Sequence, residues 1–137
     1  MIEFHFEIKF ILNNQMELQK WIETVITSEN KVLGDLNYIF CSDEYLLERN
    51  IKYLKHDTLT DIITFDYCEE EIINSDIMIS IDRVKENSSI FENSFSDELH
   101  RVMIHGVLHL IGYDDKTKKE KQTMRNKEDF YLKKLCI

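Results

Sequence analysis

With 137 residues, 43% of them hydrophobic and 31% charged, the chain fits one globular domain with a single adequate core. A net charge of −9 would repel nucleic acid if it were spread evenly, and no stretch has the length and apolarity of a membrane span. Residues 1–8 alternate polar and apolar types and carry no basic leader, so a secretory signal is not expected and the cytoplasm is the expected location. Three cysteines, Cys41, Cys68 and Cys136, are odd in number and far apart, with no CxxC, which predicts reduced structural thiols and excludes a disulfide framework.

In chain order the pattern predicts an α+β arrangement. A strand over 2–8 comes first, then an amphipathic helix over 15–29 carrying Met16, Leu18, Trp21, Ile22 and Val25, then a strand over 34–40. Ser42 reads as an N-cap, and Asp43 and Glu44 suit the first turn of the short helix that follows, with Leu46, Leu47 and Ile51 as its apolar stripe. Branched runs at 62–65 and 77–81 predict two strands, joined by a segment whose acids Glu69, Glu70 and Glu71 read as a solvated connection. Helices over 82–90, 95–111 and 116–135 complete the chain, with no linker and no repeat.

The 95–111 helix carries the residues with the strongest chemical signal. His105 and His109 are four residues apart, so both imidazoles lie on one helical face, with about 6 Å between Cβ atoms, and can reach one ion. Gly112 can take the left-handed backbone that ends a helix, and the reversed chain could bring Asp115 back as a third ligand. Three protein ligands leave a position open, which is the pattern of catalytic zinc. A lone histidine beside Val102, Leu108 and Leu110 would be read as a hydrogen-bonded core residue; the pair, the glycine and the acid together point to a metal. His100, about 140° round the helix from His105, is expected to be a partly exposed polar residue. Two of the chain's three glycines, Gly106 and Gly112, fall in this segment. Gly106 also stands where HExxH metalloproteases place their general-base glutamate, which disfavours a standard zinc peptidase.

Charge is strongly segregated. From Lys116 onward eight basic residues face three acids, a balance of +5, while the preceding 115 residues carry nine against 23, a balance of −14. Such a helix either contacts phosphates or is simply a solvated face.

The stretch His105 to Asp115 resembles the HGxLHLxGYDH signature of the YbeY family of bacterial rRNA maturation factors, described as metal-dependent endoribonucleases, and Glu98 to Val102 fits that family's approach to its helix. Upstream, Leu46 to Tyr53 and Lys55 to Phe65 resemble the LNxxYRxKDxPTDVLSF stretch, and Ser75 to Ser80 resembles LGDIxIS. Order and spacing agree over nearly the whole chain. The resemblance implies one domain over 1–137, a small mixed β-sheet packed by helices, with a metal-bearing helix. It implies metal ligands at His105 and His109 and a third at Asp115, where the family usually has histidine; Asp114 matches the family's own aspartate and is the rival ligand. An aspartate binds zinc at about the distance a histidine does, while lowering the site's charge by one unit and favouring harder ions. Leu54 stands where the family has an arginine thought to meet substrate, and Leu59 and Asp66 replace prolines; Lys52, Lys55 or His56 could supply a nearby positive group.

The expected activity is therefore cleavage of single-stranded RNA in ribosomal RNA processing and ribosome assembly. One Zn²⁺ per chain would act as Lewis acid or as source of hydroxide, with no side-chain base assigned. Ribosomal RNA is the expected partner, with ribosomal or assembly proteins as candidate further partners and no membrane. Two other readings are a peptide-cleaving zinc hydrolase and a non-catalytic ribosome-assembly factor with a structural metal.

Overall fold

A computed structural model describes residues 1–54 and 60–137, with Leu54 described by its backbone alone. Four strands, β1 (Ile2–Phe6), β2 (Val32–Cys41), β3 (Ile62–Asp66) and β4 (Ile72–Ser80), form one sheet in the order β1-β2-β4-β3. β1, β2 and β4 run parallel, and β3 runs antiparallel to β4 at the edge. The α-helices among the described residues are α1 (Gln15–Ser28), α2 (Asp43–Arg49), α3 (Ile81–Ile90), α4 (Phe95–Ile111) and α5 (Lys118–Leu132). The expected α+β fold with a small mixed sheet packed by helices is what forms.

Strand alternation divides the sheet into two faces. On one, Tyr38 and Phe40 of β2 and Ile77 and Ile79 of β4 meet Leu18, Ile22 and Ile26 of α1 and Met103, Val107 and Leu108 of α4 in a continuous core. Tyr38 donates its hydroxyl to the Met103 carbonyl at 2.9 Å, and Trp21 donates to the Tyr131 carbonyl at 2.8 Å, so both of these buried ring polar groups are satisfied. On the other face, a smaller cluster of Cys41, Ile63 and Met78 is covered by Leu46 of α2.

Most boundaries fall within a few residues of expectation, and the larger departures have physical causes. β1 stops at Phe6, and β2 starts two residues early, with a register shift between Leu33 and Leu36. β4 starts at Ile72, five residues before the expected run, because it pairs with both β2 and β3 and a centrally placed strand is held by its neighbours as well as by its own branched residues. Ser42 caps α2 as expected, accepting from the Tyr45 amide at 3.1 Å. The stripe beyond it is corrected: Leu46 is buried, but Ile51 is 47% exposed. The chain passes from α2 into a π-type turn over Asn50–Leu54, and the wider turn breaks the 3.6-residue repeat that would have brought Ile51 under the helix. Glu69, Glu70 and Glu71 form the exposed connection between β3 and β4, with Glu70 at φ 54° in its turn. Cys41 is buried, Cys68 half-buried and Cys136 exposed, all as free thiols.

Candidate metal centre

α4 starts where Ser94 accepts from the Asp97 amide at 3.1 Å, with Asp97 and Glu98 in the first turn as the helix dipole favours. Leu99, Val102, Met103 and Val107 are buried against the core, which leaves His105 and His109 half-buried beside that apolar stripe. Gly106 lets α4 approach the sheet: a Cβ there would stand 2.9 Å from Ile62 Cδ1 and 3.2 Å from Thr64 Cγ2. A glutamate at this position would have to displace the Ile62 and Thr64 side chains, so packing as well as sequence disfavours the peptidase arrangement.

Gly112 ends α4 with φ 127°. Its amide donates to the His109 carbonyl at 3.1 Å, and the Tyr113 amide donates to the Leu108 carbonyl at 3.0 Å, the paired bonds of a Schellman turn. That reversal returns Asp115 to the histidines. Its Oδ2 lies 3.4 Å from His105 Nε2 and 3.3 Å from His109 Nε2, and the three residues offer ligand atoms within 4.8 Å of one another. An ion held about 2.0–2.1 Å from nitrogen and oxygen in tetrahedral geometry separates its ligands by roughly 3.4 Å, so the donor set and its spacing fit a metal. Asp114 is exposed and makes no ion pair with either ring.

His105 Nδ1 lies 2.7 Å from Glu128 Oε2, and Glu128 also takes Arg101 at 2.8 Å, while Arg101 reaches Asp129 at 2.7 Å. A carboxylate facing arginine accepts, so Nδ1 donates the proton and Nε2 keeps its lone pair toward Asp115. Burial alone would lower the His105 pKa, but the Glu128 hydrogen bond and charge, with Asp115 and Asp61, hold it above the ordinary value. Glu128 was missed in the sequence. Its signal was there: it lies in the same buried stripe of α5 as Met124 and Tyr131, where an acid needs a buried partner.

A cavity of about 300 Å³ opens over these residues, with His105, His109 and Asp115 on one side and Thr60, Asp61 and Thr64 on the other. Burial pushes the Asp61 carboxyl above the usual range, partly offset by His105. Thr60 donates to the Ile62 carbonyl at 3.3 Å, a local turn role. Lys55 and His56 lie outside the described residues, as does the side chain of Leu54. His100 is half-buried, edge-on to Trp21, and its pKa is lowered by burial, in keeping with a polar residue apart from the metal cluster.

A second polar cluster, also unforeseen, holds the turn in place. Glu29, at the end of α1, accepts from the Tyr113 hydroxyl at 2.6 Å, from Lys127 at 3.1 Å and from the Tyr131 hydroxyl. Tyr113 lies two residues before Asp115, so α1, the turn and α5 are joined at one carboxylate.

Comparison with known proteins agrees with this architecture. The family model described as endoribonuclease YbeY matches residues 3–136. A Flavobacterium psychrophilum protein named endoribonuclease YbeY is 53% identical over 133 residues, covering 97% of this chain and 95% of the relative. One of the same name from Karelsulcia muelleri is 52% identical over 132 residues, covering 96% and 94%. The solution structure of a Thermotoga maritima protein superposes with a TM-score of 0.69 at 31% identity, covering 98% of this chain and 89% of that one.

Proposed function

This chain belongs to the endoribonuclease YbeY family, and on that premise we propose that it is a metal-dependent single-strand endoribonuclease, one domain over residues 1–137, acting in ribosomal RNA processing and ribosome assembly. The observation that carries the proposal is the convergence of His105, His109 and Asp115 on one point beneath an open cavity. These three would hold one Zn²⁺, the ion that best suits two imidazoles and a carboxylate at tetrahedral spacing. When bound, such an ion supplies Lewis acidity toward a phosphoryl oxygen and makes water a better nucleophile near neutral pH.

The chain's own residues supply the rest. Glu128 orients His105, the Schellman turn at Gly112 presents Asp115, and Gly106 brings β3 close enough for Asp61 and Thr64 to wall the cavity. Lys55 and His56 are proposed to meet the substrate. None of the helices among the described residues is long and apolar enough to cross a membrane, and we place the protein in the cytoplasm, where Cys41, Cys68 and Cys136 stay reduced. A non-catalytic assembly factor is the second reading, favoured by Leu54 at the position of the family's arginine.

Metal content and turnover test this together. Mass spectrometry is expected to find about one zinc per chain in the wild type and in Asp114→Ala and to find it lost in Asp115→Ala. Cleavage of unstructured RNA is expected to vanish in His109→Ala. Full metal occupancy with no RNA turnover would leave the assembly-factor reading standing; digestion of casein would revive the peptidase.

A further inference from the structure

α5 has two faces. Met124, Glu128 and Tyr131 are buried, whereas Lys118, Lys121 and Arg125 recur at i, i+3 and i+7, form one stripe, and are all exposed. No carboxylate among the described residues pairs with any of the three, in a chain whose acids outnumber its bases by nine. Elsewhere Lys31, Arg83, Arg101 and Lys127 each hold an acid at 3.1 Å or less, and exposed lysines that likewise lack a carboxylate partner among the described residues, such as Lys9, Lys20 and Lys85, lie in separate segments rather than in one stripe. Cations left unpaired amid surplus acid are available to an external anion.

Their position is also specific. Lys118, the first residue of α5, lies three residues past Asp115. Lys121 lies two turns before Glu128, within about 20° of it round the helix, and the Glu128 carboxylate touches His105. The stripe therefore runs along the side of α5 that borders the metal-bearing helix. It extends for about 10 Å along the axis, so its flexible side chains meet successive phosphates of one strand rather than a single anion. The −14 carried by the first 115 residues repels a polyanion from most other directions, and a positive strip in a negative field gives an approaching strand one favourable entry.

We propose that Lys118, Lys121 and Arg125, with exposed Lys119 beside them, form the track on which single-stranded RNA lays its phosphates as it enters the His105, His109 and Asp115 site. The proposal rests on the endoribonuclease reading and adds the surface that receives the substrate.

The test is RNA affinity across a salt titration, read by anisotropy of a labelled oligouridylate in a His109→Ala background that does not cleave it. K118Q/K121Q/R125Q is compared with K9Q/K20Q/K85Q, which removes the same charge from exposed lysines elsewhere. Each phosphate contact on a single strand contributes about 0.7 to the slope of log affinity against log salt, so the stripe variant is expected to lose about 2 in slope and at least ten-fold in low-salt affinity. The control variant should keep the parental slope. Equal losses in both variants, or none in either, would overturn the track, as would loss of binding to phosphatidylglycerol vesicles with RNA affinity unchanged, which would assign the stripe to a lipid surface. The two readings fail separately. Stripe-dependent RNA binding by a metal-loaded wild type that cleaves nothing sinks the nuclease and keeps the track; full kcat/KM for the stripe variant on RNA sinks the track and keeps the nuclease.

Discussion

His105 carries two roles on one ring, and each nitrogen is assigned by a different carboxylate. Glu128 takes the Nδ1 proton at 2.7 Å, and Nε2 is left facing Asp115 at 3.4 Å. Partners of this kind affect metal affinity about 10–100-fold, so Glu128→Leu is expected to weaken zinc binding by that factor in competition with a chromophoric chelator. Glu128→Gln should fall between, because its amide oxygen still accepts from Nδ1. Unchanged affinity in the leucine variant would mean that the ring is oriented by packing alone. Gly112 is a second single-residue constraint, and its cause is conformational: open space surrounds its Cβ direction, but φ is 127°. Gly112→Ala is expected to cost about 1–3 kcal/mol in urea denaturation and to weaken zinc binding as Asp115 shifts. A variant as stable as wild type would show that the turn relaxes without strain.

At the level of elements, the candidate metal ligands belong to α4 and the turn after it, but their placement depends on α1 and α5. Three donors from the turn and α5 meet at Glu29, whose side chain is 11% exposed. Burial raises its pKa, and the hydrogen bonds from Tyr113, Tyr131 and Lys127 outweigh it, leaving the folded value below the ordinary 4.5. A group whose folded pKa is depressed contributes stability above its unfolded value and loses it as pH falls through the folded one. Glu29→Gln is therefore expected to cost roughly 1–3 kcal/mol at neutral pH, with the gap from wild type closing below about pH 4.5. A gap of constant size down the acid limb would show that the carboxylate is not ionised in the cluster.

For the molecule as a whole, an ion that binds the folded chain and not the unfolded one adds to stability through its own affinity. Zinc at a hundred times its Kd should contribute about 2.7 kcal/mol, visible as a rise in Tm that a chelator reverses and that Asp115→Ala abolishes. A Tm indifferent to zinc would mean that the ligands do not close on the ion together.

The sequence by itself determined most of the elements and the candidate ligand set: helix spacing placed His105 and His109 on one face, Gly112 marked the reversal, Ser42 marked a cap, and the branched runs marked β3 and β4. These are properties of neighbouring residues, set by backbone geometry and by the 3.6- and 2-residue repeats. Only the tertiary structure decided which residues from distant segments meet them. Glu128 reaches His105 across 23 residues, Glu29 reaches Tyr113 across 84, and Gly106 reaches Ile62 across the contact between helix and sheet. The early start of β4 and the exposure of Ile51 belong there too. One follows from pairing on both edges of a strand and the other from a widened turn. No local repeat encodes either, because the partners that fix them are chosen by packing.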